Sequence, residues 1–201
     1  MTLLDYPGKI AATVFTGGSN FRCPFCHNAS LVLNAVKAQN ISEEEFFDFL
    51  SRRKGLLDGV CISGGEPFVQ EEIGRFISKI KSLGFLVKLD TNGSFPSRLK
   101  ELAGDGLIDY VAMDIKNSPA GYVKTAGTTE KMLPKIKESV TFLLSGRVEY
   151  EFRTTVVKEF HTEEDFVAIG KWIQGARRYF LQNFVDSGDL IRPGLHGIDK
   201  A

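Results

Sequence analysis

Cys23-Pro24-Phe25-Cys26 is the first place in the chain where side chains could do covalent chemistry. Two thiols three positions apart can close on one metal centre or form a redox disulfide. By itself the pair supports three readings: a thioredoxin-like dithiol, half of a metal site, or an inert pair. No second cysteine pair is present to complete a zinc site, and the histidines, at 27, 161 and 196, are scattered. A second cluster reads Ser63-Gly64-Gly65-Glu66-Pro67. Its glycines let backbone approach a ligand closely, and Glu66 can accept hydrogen bonds from an ammonium group; the same residues also make a tight turn. A third, Asp90-Thr91-Asn92-Gly93, offers an acid but equally suits the end of a strand, where Asn and Gly favour turns. Asp114 and Lys116 are two apart, so on a strand they share a face. Arg153 is a charge inside an apolar run, facing either an anion in the interior or solvent at an edge.

These residues need a scaffold, and the chain has a repeating grammar that provides one. Short β-branched or apolar runs at 11–16, 59–63, 85–91, 110–115, 148–157 and 178–185 predict six strands. Helical patterns lie between them at 42–53, 70–83, 96–103, 130–145 and 163–175. Ile73, Phe76, Ile77, Ile80 and Leu83 form one apolar stripe, ended by Gly84. Ser42 with Glu45 spells a capping box, and Thr162 with Asp165 a weaker relative of it. Strands alternating with helices imply a parallel sheet with right-handed crossovers. Its strands are apolar nearly throughout, as in a sheet covered on both faces. The polar clusters fall just after strands one to four, where ligands bind in such folds. Four clusters that must converge on one ligand predict a partial (β/α)6 barrel rather than a flat doubly wound sheet.

Composition narrows the class. The 201 residues suit one domain over 1–201, with both ends open to trimming. Hydrophobic residues make up 43% and charged residues 25%, an ordinary globular balance that excludes disordered and fibrous classes. Lys+Arg and Asp+Glu both total 25, which argues against a general electrostatic grip on nucleic acid or an anionic membrane. No apolar run approaches a membrane span, no signal peptide is visible, and three cysteines do not make a secreted disulfide framework. The expected compartment is the cytoplasm.

Taken together and in order, the motifs resemble the radical S-adenosylmethionine superfamily. The likeness is strongest to the short activating enzymes for glycyl-radical proteins, of the type assigned to anaerobic ribonucleoside-triphosphate reductase. It is carried by Leu4-Asp5-Tyr6-Pro7-Gly8-Lys9, the cysteine loop with His27-Asn28, Ile62 to Pro67, Leu89 to Gly93 and Met113-Asp114-Ile115-Lys116. The resemblance implies a 4Fe–4S cluster on a Cys-x3-Cys-x2-Cys loop, with S-adenosylmethionine on the fourth iron. One electron, from a donor such as flavodoxin or ferredoxin, cleaves a carbon–sulfur bond. The resulting 5′-deoxyadenosyl radical takes a hydrogen atom from a glycine of a partner such as anaerobic ribonucleotide reductase.

By the same resemblance Cys23 and Cys26 are metal ligands and, with Lys116, catalytic; Arg153, as an interior charge that could meet a carboxylate of the cofactor or substrate, is placed with them. Asn28, Gly64, Gly65 and Glu66 contact the cofactor. Asp90, Thr91 and Asp114 touch the ribose or hold a cation near the ligand carboxylate, which Lys116 balances. Gln182 and Asn183 could bond the adenine or ribose, and Phe25 could pack beside the adenine or simply fill its loop. The family's first cysteine falls on Ser19. A serine hydroxyl is a much poorer iron ligand than a thiolate, so the cluster is expected to bind poorly. Three explanations stay open for Ser19: an introduced substitution, a natural member that lost the chemistry, or a working cluster with a serine or other third ligand. Alternatives for the whole chain are an S-adenosylmethionine-binding barrel without catalysis and a radical enzyme acting on a small molecule. Cys61, inside strand two, reads as a small buried hydrophobe, and His161 as a solvated or capping residue.

Overall fold

Six parallel strands pair in the order in which they occur along the chain, β1 to β6. They are β1 (Ala11–Thr16), β2 (Gly59–Gly64), β3 (Leu86–Thr91), β4 (Tyr110–Asp114), β5 (Glu149–Val156) and β6 (Tyr179–Asn183). The helices are α1 (Ala29–Leu33), α2 (Glu43–Ser51), α3 (Ile73–Ser82), α4 (Pro96–Gly104), α5 (Tyr122–Ala126), α6 (Leu133–Leu144) and α7 (Glu163–Trp172). The structure is a computed structural model that describes residues 2, 4–33 and 40–198; both ends of the expected 1–201 domain lie outside them. A doubly wound sheet reverses its strand order midway, whereas strictly sequential order is what a barrel wall requires. The sheet curves without closing, because β1 and β6 are not paired. The expected partial (β/α)6 barrel is the fold.

Strand parity separates two environments. Val60, Ile62, Val87, Leu89, Val111, Met113 and Phe152 are fully buried and belong to the core between sheet and helices. Ile73, Ile77 and Ile80 of α3 meet it, with Phe76 and Leu83 packed alongside. Both caps form as expected: Ser42 and Glu45 bond each other's backbone, as do Thr162 and Asp165. The other parity faces the barrel interior and is polar. It carries Cys61 and Ser63, Lys88 and Asp90, Asp114, and Glu151 and Arg153.

The Leu4–Lys9 segment stoppers the amino-terminal end of this interior. The Tyr6 ring lies 5.9 Å from Tyr110 at the start of β4, and Tyr110 Oη donates to Glu151 Oε2 at 2.7 Å. Thr13 Oγ1 donates to Asp5 Oδ2 at 2.6 Å.

Three expectations change. Helix α3 begins at Ile73, because Pro67–Val69 form a 3-10 turn ahead of it. The short helices α1 and α5 were not foreseen; five residues carry too little periodicity to read. The strands are not uniformly covered: most of β6 is exposed, including Phe180 and Leu181. As an edge strand it has no neighbour on its outer side among the described residues. None of the described helices is long and apolar enough to cross a membrane.

Candidate functional site

All six strand ends contribute to one cavity of about 230 Å³ at the carboxyl end of the barrel. Ser19, Cys23, Phe25, Cys26 and Asn28 reach it from the loop after β1, and Gly64 and Gly65 from β2. Asp90 and Thr91 come from β3, Asp114 and Lys116 from β4, Arg153 from β5 and Gln182 from β6. Curvature does this: residues as far apart in sequence as 19 and 182 share one wall.

The glycine turn and the cysteine loop are pressed together. Gly65 N donates to Thr16 O and Glu66 N to Gly18 O, both at 2.9 Å. A Cβ on Gly65 would sit 1.7 Å from Gly18 O, and Gly64 adopts φ +110°. Only glycine tolerates either position.

Five charged side chains alternate in sign from the interior to the cavity. Lys88 Nζ donates to Asp90 Oδ1. A terminal nitrogen of Arg153 lies 3.3 Å from Asp90 Oδ2, and Arg153 Nε donates to Asp114 Oδ1 at 3.0 Å. Lys116 Nζ then donates to Asp114 Oδ2 at 2.9 Å. Burial alone would raise the Asp114 carboxyl, but Lys116 and Arg153 outweigh it and hold the group well below the carboxylate range. The same pairs hold Lys116 and Arg153 above their ordinary values against the pull of burial. Ser63 Oγ donates to Asp90 Oδ2 at 3.0 Å, so the Asp90 oxygens are both engaged.

Burial pushes the Cys23 thiol up to about 11, against the nearby Lys116 charge; its Sγ lies 3.4 Å from Ala126 O. The Ser19 hydroxyl accepts the Phe21 N–H at 3.2 Å, a local turn bond of the kind serine makes readily. Among the described residues no group of three or more His, Cys, Asp and Glu side chains gathers as a metal centre. The site therefore pairs a charged, ligand-sized cavity with two thiols and one hydroxyl.

Several expected residues stand elsewhere or do more than expected. Glu66 does not line the cavity. It is fully buried beneath the glycine turn, where Oε1 accepts from Thr91 Oγ1 at 2.9 Å and Phe68 N at 3.2 Å, and Oε2 from Asn92 N at 2.7 Å. A short acidic side chain after two glycines folds back onto the next strand's end rather than outward. Asn183 is spent on the backbone of Ile198, bonding its N–H and C=O. Cys61 is fully buried, its Sγ 3.8 Å from both Lys88 Nζ and Asp90 Oδ1. His161 is not solvated: Val157 N donates to its Nδ1 at 3.1 Å, and its Nε2 lies 2.9 Å from Lys116 O, which fixes the end of β4. Phe25 fills its loop against Phe160, Val157, Phe184 and Leu195 while one side meets the cavity.

Lys88 went unforeseen. The signal was available, a charge inside an apolar strand two residues from an acid, as at Asp114 and Lys116. The bridge of Asn20 was also missed: Asn92 Nδ2 donates to its Oδ1 at 2.9 Å and its Nδ2 donates to Ser94 Oγ at 2.8 Å. Nothing in sequence spacing marks that tie between two loops.

Comparison with known proteins agrees with this geometry. A protein of Methanocaldococcus jannaschii named as a glycyl-radical enzyme activating enzyme is 36% identical over 194 residues, covering 92% of this chain and 77% of the relative. The pyruvate formate-lyase-activating enzyme of Listeria monocytogenes is 31% identical over 147 residues, 68% of this chain and 58% of that protein. The structure of Streptococcus suis SuiB bound to S-adenosylmethionine superposes with a TM-score of 0.70 at 15% identity, covering 98% of this chain and 44% of that one. The chain thus spans about half the length of the latter two, and the SuiB likeness speaks for the fold alone. The family model for the Radical SAM superfamily matches residues 13–173, from within β1 to the end of α7. That stretch takes in the cysteine loop, the glycine turn and the whole charged series, and the chain belongs to the radical SAM superfamily of oxidoreductase-type enzymes.

Proposed function

We propose that this chain is the S-adenosylmethionine-binding barrel of an activating enzyme that installs a glycyl radical on a partner protein. The observation that carries the reading is the single cavity onto which Cys23, Cys26, the glycine turn and charges of both signs converge. Kinship to proteins named as activating enzymes supports the same reading. Superfamily membership implies a 4Fe–4S cluster and S-adenosylmethionine. The residues present fit the second of these. Lys116 and Arg153 can oppose the ligand carboxylate, backbone at Gly64 and Gly65 can meet its amino acid portion, and Asn28, Asp90, Thr91, Asp114 and Gln182 can bond its polar edges. Phe25 offers an apolar face to the adenine. Glu66 acts through the turn it holds rather than by touching the ammonium group.

The residues do not fit a cluster held by three thiolates. Cys23 and Cys26 supply two, and the Ser19 hydroxyl is a hard, weakly acidic donor already engaged with the Phe21 amide. The chain as it stands is therefore read as cluster-poor, and the second reading, a ligand-binding barrel without catalysis, rests on that same residue. The partner we favour is an anaerobic ribonucleotide reductase, with a flavodoxin or ferredoxin as electron donor, in the cytoplasm and without nucleic acid or membrane.

Iron and sulfide analysis after anaerobic reconstitution tests the reading. The unmodified chain should fall well short of four irons, and Ser19→Cys should approach four. The reconstituted variant, mixed with the reductase, reductant and S-adenosylmethionine, should give a glycyl-radical doublet in the electron paramagnetic resonance spectrum. If 5′-deoxyadenosine forms without a partner radical, the partner assignment fails. If neither appears despite a full cluster, the radical reading fails for this chain.

A further inference from the structure

The two halves of the cysteine loop are anchored to different parts of the molecule. The Ser19–Cys23 half is tied to the barrel wall: Glu66 N donates to Gly18 O, and Arg22 N to Ala126 O and Gly127 O at 3.3 and 3.2 Å. The Cys23 thiol adds its contact with Ala126 O. The Pro24–Asn28 half leans on the segment that follows β6. Arg192 N donates to Pro24 O at 2.9 Å, the His27 ring stacks on Phe184 at 5.2 Å, and Phe25 packs against Phe184 and Leu195. Asp189 makes the densest contact. Its two carboxylate oxygens each accept from Ser30 N at 3.1 Å, Oδ2 also accepts from Ser30 Oγ at 2.7 Å, and its carbonyl accepts from Ala29 N at 3.4 Å. Ser30 lies in the first turn of α1, immediately after the loop, so Asp189 caps that turn from outside its own sequence neighbourhood. Its ties to the barrel side are fewer: Asn28 Nδ2 donates to Gly64 O at 3.4 Å, Cys26 N to Cys23 O at 3.0 Å and Gly18 N to Leu31 O of α1 at 2.9 Å, and Phe25 also touches Val157 and Phe160.

We propose that residues 184–195 form a clasp that seats the Cys26 half of the cysteine loop, with Asp189 as its positioning residue. The hydrogen bonds that hold Cys23 come from the barrel side; Cys26 bonds back to Cys23 O and takes the rest of its seat from the clasp's hold on α1 and Pro24. The clasp thus sets the spacing of the two thiols before any metal arrives. The inference concerns the metal-free chain and does not depend on the reaction proposed above.

Competitive alkylation of the metal-free, reduced protein by iodoacetamide, read cysteine by cysteine by mass spectrometry, tests it. Asp189→Ala should raise the Cys26 rate about fivefold over Cys23, the factor expected when one cap is lost. Asp189→Asn keeps one acceptor oxygen and should fall between. Arg192→Pro removes the N–H that holds Pro24 and should act like Asp189→Ala by an independent contact. Glu45→Ala, which removes the acceptor of the Ser42 N–H from the cap on α2 away from the loop, should leave the ratio unchanged. Equal acceleration of Cys23 and Cys26, or an unchanged ratio in both Asp189→Ala and Arg192→Pro, overturns the proposal.

Discussion

Glu66→Gln isolates a buried carboxylate that holds the site together from behind. Its oxygens accept three hydrogen bonds, from Thr91 Oγ1, Phe68 N and Asn92 N, and no cation pairs with it among the described residues. Burial pushes its carboxyl from 4.5 up to about 7, although the three donors pull the other way. The native state therefore binds this proton more tightly than the unfolded chain does. The associated stability is fully present below pH 4.5 and is lost as pH rises through about 7. At about 1.36 kcal/mol per pH unit the loss is about 3 kcal/mol. Glutamine cannot ionise and carries no such slope. Its amide NH2 must face either the Asn92 N–H or the Phe68 N–H. The Thr91 hydroxyl can turn to accept, but a backbone N–H cannot, so a buried donor loses its partner at a cost of about 1–3 kcal/mol at every pH. Wild type should then be the more stable at pH 5, and the difference should shrink, vanish or reverse by pH 8. Urea unfolding of both proteins at pH 5, 6, 7 and 8 measures this, and the titrations of all other groups cancel in the difference. A difference that does not change with pH would refute the assignment of a raised Glu66 carboxyl.

The glycine turn, the buried lysine and the bridging arginine give three further expectations. Gly65→Ala drives a Cβ to within 1.7 Å of Gly18 O, so the turn must separate from the cysteine loop; calorimetry should show a sharp drop in Tm, and an unchanged Tm would mean the approach is not that close. Lys88→Met leaves Asp90 facing the interior with one cation fewer; breaking a buried pair costs about 3–5 kcal/mol, and the double variant Lys88→Met/Asp90→Asn should recover part of it in urea unfolding, which a purely steric effect of the methionine side chain would not allow. Arg153→Lys keeps the charge but cannot span both Asp90 and Asp114 as the guanidinium does. Titration calorimetry should show S-adenosylmethionine binding weakened by about 1.5–3 kcal/mol, the worth of one charged hydrogen bond; equal affinity would remove Arg153 from the site.

Strand positions, the five longer helices, the sequential barrel and most of the cavity wall were legible in sequence because each is a local signal. Strand periodicity, the Ser42–Glu45 cap and the position of polar clusters just after apolar runs all lie within a few residues of one another. The clusters at Cys23–Asn28, Gly64–Gly65, Asp90–Thr91 and Asp114–Lys116 could be assigned to one rim on topology alone, since parallel strands put their carboxyl ends together. Ser19 is also wholly a matter of sequence: no packing can turn a hydroxyl into a thiolate. What tertiary structure alone decided is which way side chains turn and what they meet across the barrel. Glu66 turns under the glycines because three donors from two different segments await it there. Lys88 joins Asp90, Arg153 and Asp114 only once β3, β4 and β5 are side by side. Asp189 reaches Ser30 across 159 positions. Such contacts depend on the curvature of the sheet and the course of the segment after β6, and neither leaves a periodic trace in the residues themselves.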